Sequence, residues 1–285
     1  RDREHRVHRH QQHVEVSEER SDARANLMSR AVGQHAIAHA FGRFLSMLPI
    51  ATALAVARCI GRVAFVVDSK GRRRAVEQLE GSLEIDAKTA QAKAKEVYGN
   101  IAMVAAEIAL LERRRDRLVE RVELSAADRR VVEHALALGR GLVVVTGHLG
   151  NWELLAQRLV FETRRSAFVL AREGPNPFIA RWIDRVRALG GIETINRRGP
   201  RSLRRIVTAL RTGAIVGVLI DQDTKVASVH VPFFGRLAKT PTVAARLALR
   251  HGCPTILAVM RRRSDDPTRH EMRIERIEGA GTSRD

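Results

Sequence analysis

Cysteine is scarce in this 285-residue chain: there are two, Cys59 and Cys253, far apart in sequence. No Cys-x-x-Cys pair or Cys/His cluster accompanies them. That excludes a disulfide scaffold and gives no metal-ligand spacing. A reducing, cytoplasmic setting is the simplest reading. Aromatic residues make up 4%, with one Tyr, so stacking platforms for nucleic acid are few. No helix-turn-helix or zinc signature accompanies them. There is no Gly-x-Ser-x-Gly elbow for a nucleophilic serine and no His-Glu-x-x-His zinc motif. In the apolar N-terminal part, the longest uncharged run after Arg43 spans Phe44 to Ala57, 14 residues, and Pro49 breaks it. A spanning helix needs about 18. A secretory apolar region with a cleavage site after a basic start is also missing.

Acidic residues are outnumbered, 32 Asp+Glu against 50 Lys+Arg, for a formal charge of +18. Such an excess implies an acidic partner: nucleic acid, an anionic membrane or an acidic carrier protein. Hydrophobic residues reach 45%, enough for a sizeable core and too many for a disordered chain. The length fits one large domain or two small ones.

Residues 1–25 stand apart. They hold six Arg and six acids and almost nothing apolar, so the whole net charge lies downstream. His5, His8, His10 and His13 fall there, but the composition reads as a disordered, solvated tail rather than a metal site. The first residue is Arg, not Met, which suggests a fragment, a processed form or a mis-assigned start. Residues 26–285 read as one domain. Within it, 27–67 is apolar, Ala-rich and punctuated by Arg30, Arg43, Arg58 and Arg62. One or two amphipathic helices follow, with Phe41, Phe44, Leu45, Leu48 and Leu54 opposite the arginines. Such helices lie in a membrane interface or pack on a core.

The pattern stays helical from Arg72 to Leu118 and changes after Ser125, where Ala126–Leu138 reads as a short helix. Compact β-branched runs then recur at 142–146, 167–171, 214–220 and 254–260. Helical patterns separate them, at roughly 152–161, 178–189, 201–212 and 241–251. Continuous apolar strands alternating with helices predict an α/β core with a mostly parallel sheet over 125–277.

The chemistry concentrates in LVVVTGHLGNWELLAQRL, residues 142–159. A buried strand ends at Thr146. Gly147 and Gly150 permit a tight turn, and Asn151 is placed to cap the next helix. His148 therefore sits at a strand's carboxyl end, where open α/β sheets place ligands. Glu153 follows five positions on, in the first helical turn, and can fold back towards the imidazole. A His with a carboxylate partner is a general-base unit. A structural turn with a Glu favouring the helix dipole is the plainer alternative. Asp221-Gln222-Asp223 follows a second strand and belongs to the same rim. Phe233 and Phe234 precede Gly235. They are either core or an apolar wall for an acyl chain.

These pieces, in order, resemble the lysophospholipid acyltransferase family, in its lipid A biosynthesis (lauroyl/myristoyl) branch. The matching segments are TGHLGNWEL (146–154), the Arg of LAREGPNP (170–177), ALGGIETINRRG (188–199), LIDQD (219–223), VPFFG (231–235) and KTPTVAARLA (239–248). The resemblance covers roughly residues 35–277. It implies a glycerolipid acyltransferase-like fold in which His148 is the base and Glu153 orients it. It also implies that Arg172, Asp221, Phe233, Phe234 and Gly235 contact substrate. The reaction implied is direct attack of a lipid hydroxyl on an acyl thioester, with no acyl-enzyme, metal or cofactor. Acyl carrier protein or acyl-CoA would be the donor, and a lipid A precursor or related glycolipid the acceptor. The protein would sit on the cytoplasmic face of the inner membrane, with residues 26–67 as membrane-associating helices. The family usually continues to a basic, Trp-containing tail, so the resemblance also implies a further terminal element.

Residues 158–211 carry thirteen Arg against four acids, half of the net charge. That run brackets Arg172 and suits phosphate-bearing lipid, an anionic leaflet or an acidic carrier. A phospholipid-synthesis acyltransferase would carry an FPEGTRS-like block. None occurs, so that reading ranks second. A nucleic-acid module and a non-catalytic membrane-surface protein rank lower.

Overall fold

The computed structural model describes residues 29, 31–171, 174, 176–197, 201–222 and 225–279. The expected 1–25 tail with its four histidines, and Arg172, lie outside the described residues.

The chain opens with helices. The first, α1, covers 31–45. Then come α2 (Ile50–Val67), α3 (Ser69–Leu83) and α4 (Ala87–Val119). Small residues set the α2–α4 packing. A Cβ at Gly61 would lie 2.4 Å from the Tyr98 carbonyl oxygen, so only glycine lets the backbones come this close. Helix α4 is kinked at Arg114, whose backbone leaves the helical region (φ −133°). The Arg114 guanidinium donates to the carbonyls of Leu48, at 2.6 Å, and Ser46. These are orphan acceptors just past the end of α1, where a cation is favoured.

The remaining elements build the α/β part: β1 (Val122–Leu124), α5 (Ala126–Ala137), β2 (Leu142–Thr146), α6 (Trp152–Thr163), β3 (Ala167–Ala171), α7 (Pro177–Ala188), β4 (Ile192–Asn196), α8 (Ser202–Arg211), β5 (Ile215–Leu219), β6 (Ser228–Phe233), β7 (Arg236–Pro241), α9 (Val243–His251), β8 (Thr255–Arg262) and β9 (His270–Arg276). Seven strands form one sheet in the order β1-β9-β8-β2-β5-β3-β4, and β6–β7 is a separate hairpin. Every pairing in the large sheet is parallel except β8–β9. The fold is therefore the mostly parallel α/β architecture read from the sequence, with helices ahead of it.

Strand alternation distributes the core. Leu142 and Val144 of β2 face α4 and α6, while Val143 and Val145 face α8 and α9. Both faces are covered, which is why β2 reads as an unbroken apolar run. Each fully buried Leu or Val contributes roughly 1.5–3 kcal/mol.

Candidate active site

Strand register assembles the site. In the parallel β2–β5 pair, Thr146 lies opposite Leu219. His148 and Asp221 each stand two residues past those strand ends, so they meet across the carboxyl edge of the sheet. The imidazole Nδ1 lies 2.8 Å from Asp221 Oδ1. The His148 backbone N–H donates to Asp221 Oδ2 at 2.5 Å. A carboxylate only accepts, so Nδ1 carries the proton in this contact. The Gln222 amide nitrogen lies 3.2 Å from Nε2. Trp152 packs edge-on against the imidazole, with ring centroids 4.7 Å apart. A Cβ at Gly147 would lie 2.8 Å from Asp221 Oδ2, so glycine here admits the carboxylate. At Gly150, φ is +63° and a Cβ would fall 2.0 Å from the Met260 carbonyl oxygen. The turn therefore needs both glycines.

Glu153 differs from the expectation. Its carboxylate is buried and is held on both oxygens by Arg187, with Nε donating at 2.9 Å and a terminal nitrogen at 2.5 Å. The carboxylate bonded to the imidazole is that of Asp221, placed in the sequence reading only as a substrate contact. The physical reason is register: strand pairing aims Asp221 across at His148, while Glu153 on α6 meets Arg187 of α7. Burial alone would lower the Arg187 pKa, but the hydrogen bonds and charge of Glu153, together with the charge of Asp184, raise it above its ordinary value.

The turn that carries His148 is also tied from behind. Asn151 Oδ1 accepts from the Leu154 N–H and so caps α6, while its Nδ2 donates to Glu107 of α4 at 3.0 Å. Arg262 donates to both Glu107 oxygens, at 2.6 and 2.8 Å, and His270 Nε2 lies 2.9 Å from Oε1. Burial would raise the Glu107 pKa, but His270 and Arg262 outweigh it and bring it down to about 2. Nothing in the sequence distinguished Glu107, Arg187, Arg262 or His270 from other charged residues.

A cavity of about 470 Å³ opens beside His148, within the usual range for ligand sites. Leu155, Ala156 and Leu159 of α6 and Phe168 to Leu170 of β3 make its apolar walls. Glu153, Arg187 and Arg197 also line it. Phe233 and Phe234 do not. They project from the tip of the β6–β7 hairpin, 61% and 57% exposed, with their rings 4.6 Å apart edge to face. Phe234 and Gly235 are the two turn residues between paired Phe233 and Arg236. Their φ values of +49° and +68° define a primed hairpin turn. The apolar wall beside His148 thus comes from α6 and β3, and the hairpin carries the Phe pair out into solvent, neither core nor cavity wall. Among the described residues, no group of three or more His, Cys, Asp or Glu could hold a metal.

The profile of the bacterial lipid A biosynthesis acyltransferases matches residues 22–276. The chain belongs to that family. It is also similar to phosphatidylinositol mannoside acyltransferases of Mycobacterium tuberculosis. Identity is 30% over 122 residues with the protein of strain ATCC 25618 / H37Rv, and 29% over 123 with that of strain CDC 1551 / Oshkosh. Each match covers 42% of this chain and 39% of the relative's length.

Proposed function

We propose that this chain is an O-acyltransferase that moves a fatty acyl chain from an acyl thioester to a hydroxyl of a glycolipid. The observation carrying the reading is His148 at the mouth of an apolar-walled cavity, its Nδ1 bonded to Asp221 and its Nε2 facing the Gln222 amide. The acyl chain lies in that cavity. The acceptor hydroxyl displaces the Gln222 amide from Nε2 and gives up its proton there. Its oxygen attacks the thioester carbonyl, forming a C–O bond. The tetrahedral oxyanion collapses, the C–S bond breaks, and the imidazolium returns the proton to the departing thiolate. Asp221 holds the tautomer and stabilises the imidazolium. Glu153, with Arg187, fixes the cavity floor and the start of α6. Arg172 keeps the substrate-side role that the family resemblance implies.

Family membership supports a lipid A precursor or related glycolipid as acceptor, and the similarity to phosphatidylinositol mannoside acyltransferases favours a glycolipid over a glycerol phosphate. The donor is acyl carrier protein or acyl-CoA. The exposed apolar residues Phe44, Met47, Ile60, Val63, Val66 and Val67 support attachment to a membrane. Helix α2 is long and apolar enough to cross one, yet a third of it is buried inside the fold. That favours lying in the interface, on the cytoplasmic face of the inner membrane, with Arg58 and Arg62 near the headgroups. The exposed Phe233 and Phe234 supply a second apolar contact.

The test is acyl transfer by detergent-solubilised protein, offering labelled acyl-carrier-protein and acyl-CoA donors to glycolipid and lysophospholipid acceptors. Transfer to a glycolipid supports the reading. Transfer to glycerol phosphate or lysophospholipid alone would replace it with the phospholipid-synthesis alternative.

A further inference from the structure

We infer a second binding site, on the opposite face of the sheet from the acyl cavity, that takes a phosphate ester carried on an aliphatic arm. A pocket of about 250 Å³ lies there between the carboxyl end of β5 and helices α8 and α9. Ile206, Val218, Val243 and Leu247 give it apolar walls, and Arg197, Arg246, Arg250 and His251 surround them. No acidic residue is among the described residues that line it. An apolar interior with a purely cationic rim matches a ligand with an apolar stem and an anionic head. The volume is below that of sites enclosing drug-sized ligands, so it suits a short arm rather than a two-chain lipid.

Two further observations point to phosphate. The buried Nε of Arg197 has no hydrogen-bond partner among the described residues. Such a donor costs free energy unless a ligand accepts from it. Helices α8 and α9 both begin at this pocket, with Ser202 and Val243 on its wall, and neither has a side-chain cap. By contrast α3 to α7 are each capped, by Asp68, Asp86, Ser125, Asn151 and Asn176, while α2, led by Pro49, is also uncapped. The first-turn N–H groups of α8 and α9 are left to an anion.

Arg197, Leu170 and Leu219 line both this pocket and the acyl cavity, so the two meet at the strand ends. As a subsite of acyl transfer the pocket rests on the acyltransferase reading. As a phosphate site it stands on its own residues. The phosphate ester has two sources, the phosphopantetheine arm of a thioester donor and the phosphate-bearing head of a lipid acceptor.

Calorimetric titration of the full chain in detergent tests it, with 4′-phosphopantetheine, pantetheine, octyl phosphate and inorganic phosphate as probes. The expected result is that at least one phosphorylated, arm-bearing probe binds, and that pantetheine and inorganic phosphate bind at least tenfold more weakly. Arg246→Gln/Arg250→Gln should weaken binding about 10- to 100-fold, as loss of charged hydrogen bonds does. Both positions are exposed, so the fold should survive. Ala227→Phe, which fills the pocket from its exposed rim, should also block binding. Preference for 4′-phosphopantetheine assigns the donor arm, and preference for octyl phosphate assigns a lipid head. Equal binding of pantetheine and its phosphate, equal binding of inorganic phosphate, or unchanged binding by both variants overturns the site. His148→Ala should retain this binding. Binding by a folded protein that transfers no acyl group would sink the acyltransferase reading and leave the phosphate site standing.

Discussion

Asp221 and Glu153 are both carboxylates near one histidine, and their surroundings divide the work between them. Asp221 is partly exposed and bonds the imidazole. Glu153 is buried and spends both oxygens on Arg187. Replacing Asp221 with Asn should therefore cut transfer by about 10²–10⁴-fold with little change in thermal stability. Replacing Glu153 with Gln should leave buried Arg187 with only the half-exposed Asp184 as counter-charge and cost about 3 kcal/mol, read by denaturant unfolding. The reverse pattern would return the orienting role to Glu153. His148 itself was legible, because a β-branched run ending in Thr-Gly-His-x-Gly-Asn announces a strand, a turn and a helix. Its partner was not. Sequence proximity pointed to Glu153, five residues away, whereas strand register brings Asp221 from 73 residues away. A further residue decides cavity shape: Gly217 of β5 lines it, and a Cβ there would already touch Val169 at 3.4 Å. Gly217→Val should shift donor preference to shorter acyl chains in a competition between thioesters, and an unchanged preference would put the chain elsewhere.

At the scale of elements, α4 links the N-terminal helices to the His148 turn through Glu107 and Asn151. Glu107 is held charged, with a pKa of about 2 against 4.5 for the ordinary group. A depressed folded-state pKa contributes stability above the unfolded value and loses it as protons bind the folded form. Stability should thus fall between pH 4.5 and about 2, and Glu107→Gln should flatten that part of the curve while lowering stability at neutral pH. The β6–β7 hairpin carries a different tension. Phe234 adopts φ +49°, where Asn or Gly is favoured. Phe234→Asn should raise stability by about 1 kcal/mol and weaken liposome binding together. Unchanged liposome binding would remove the hairpin from the membrane contact. Strands β2, β3 and β5 were readable as continuous apolar runs because both their faces are covered, and β8 because its run is apolar even at the exposed Leu257. β4 (IETIN), β9 (HEMRIER) and the hairpin were not, since exposure and charge break their pattern.

Over the whole molecule, exposed apolar residues lie on α1, α2 and the hairpin, and the chain carries a large basic excess. Cosedimentation with anionic vesicles should weaken as salt rises, because the Debye length shortens to about 3 Å at 1 M. Val63→Asp/Val66→Asp should weaken it at every salt concentration. Binding indifferent to both changes would detach the protein from the bilayer. The most direct measurement remains transfer of a labelled acyl group from a thioester to a glycolipid, with wild type, His148→Ala and Asp221→Asn compared side by side. Transfer by the wild type that collapses about 10²–10⁴-fold in both variants is the expected result. Transfer that persists in folded His148→Ala protein would contradict the central assignment of His148 as the base.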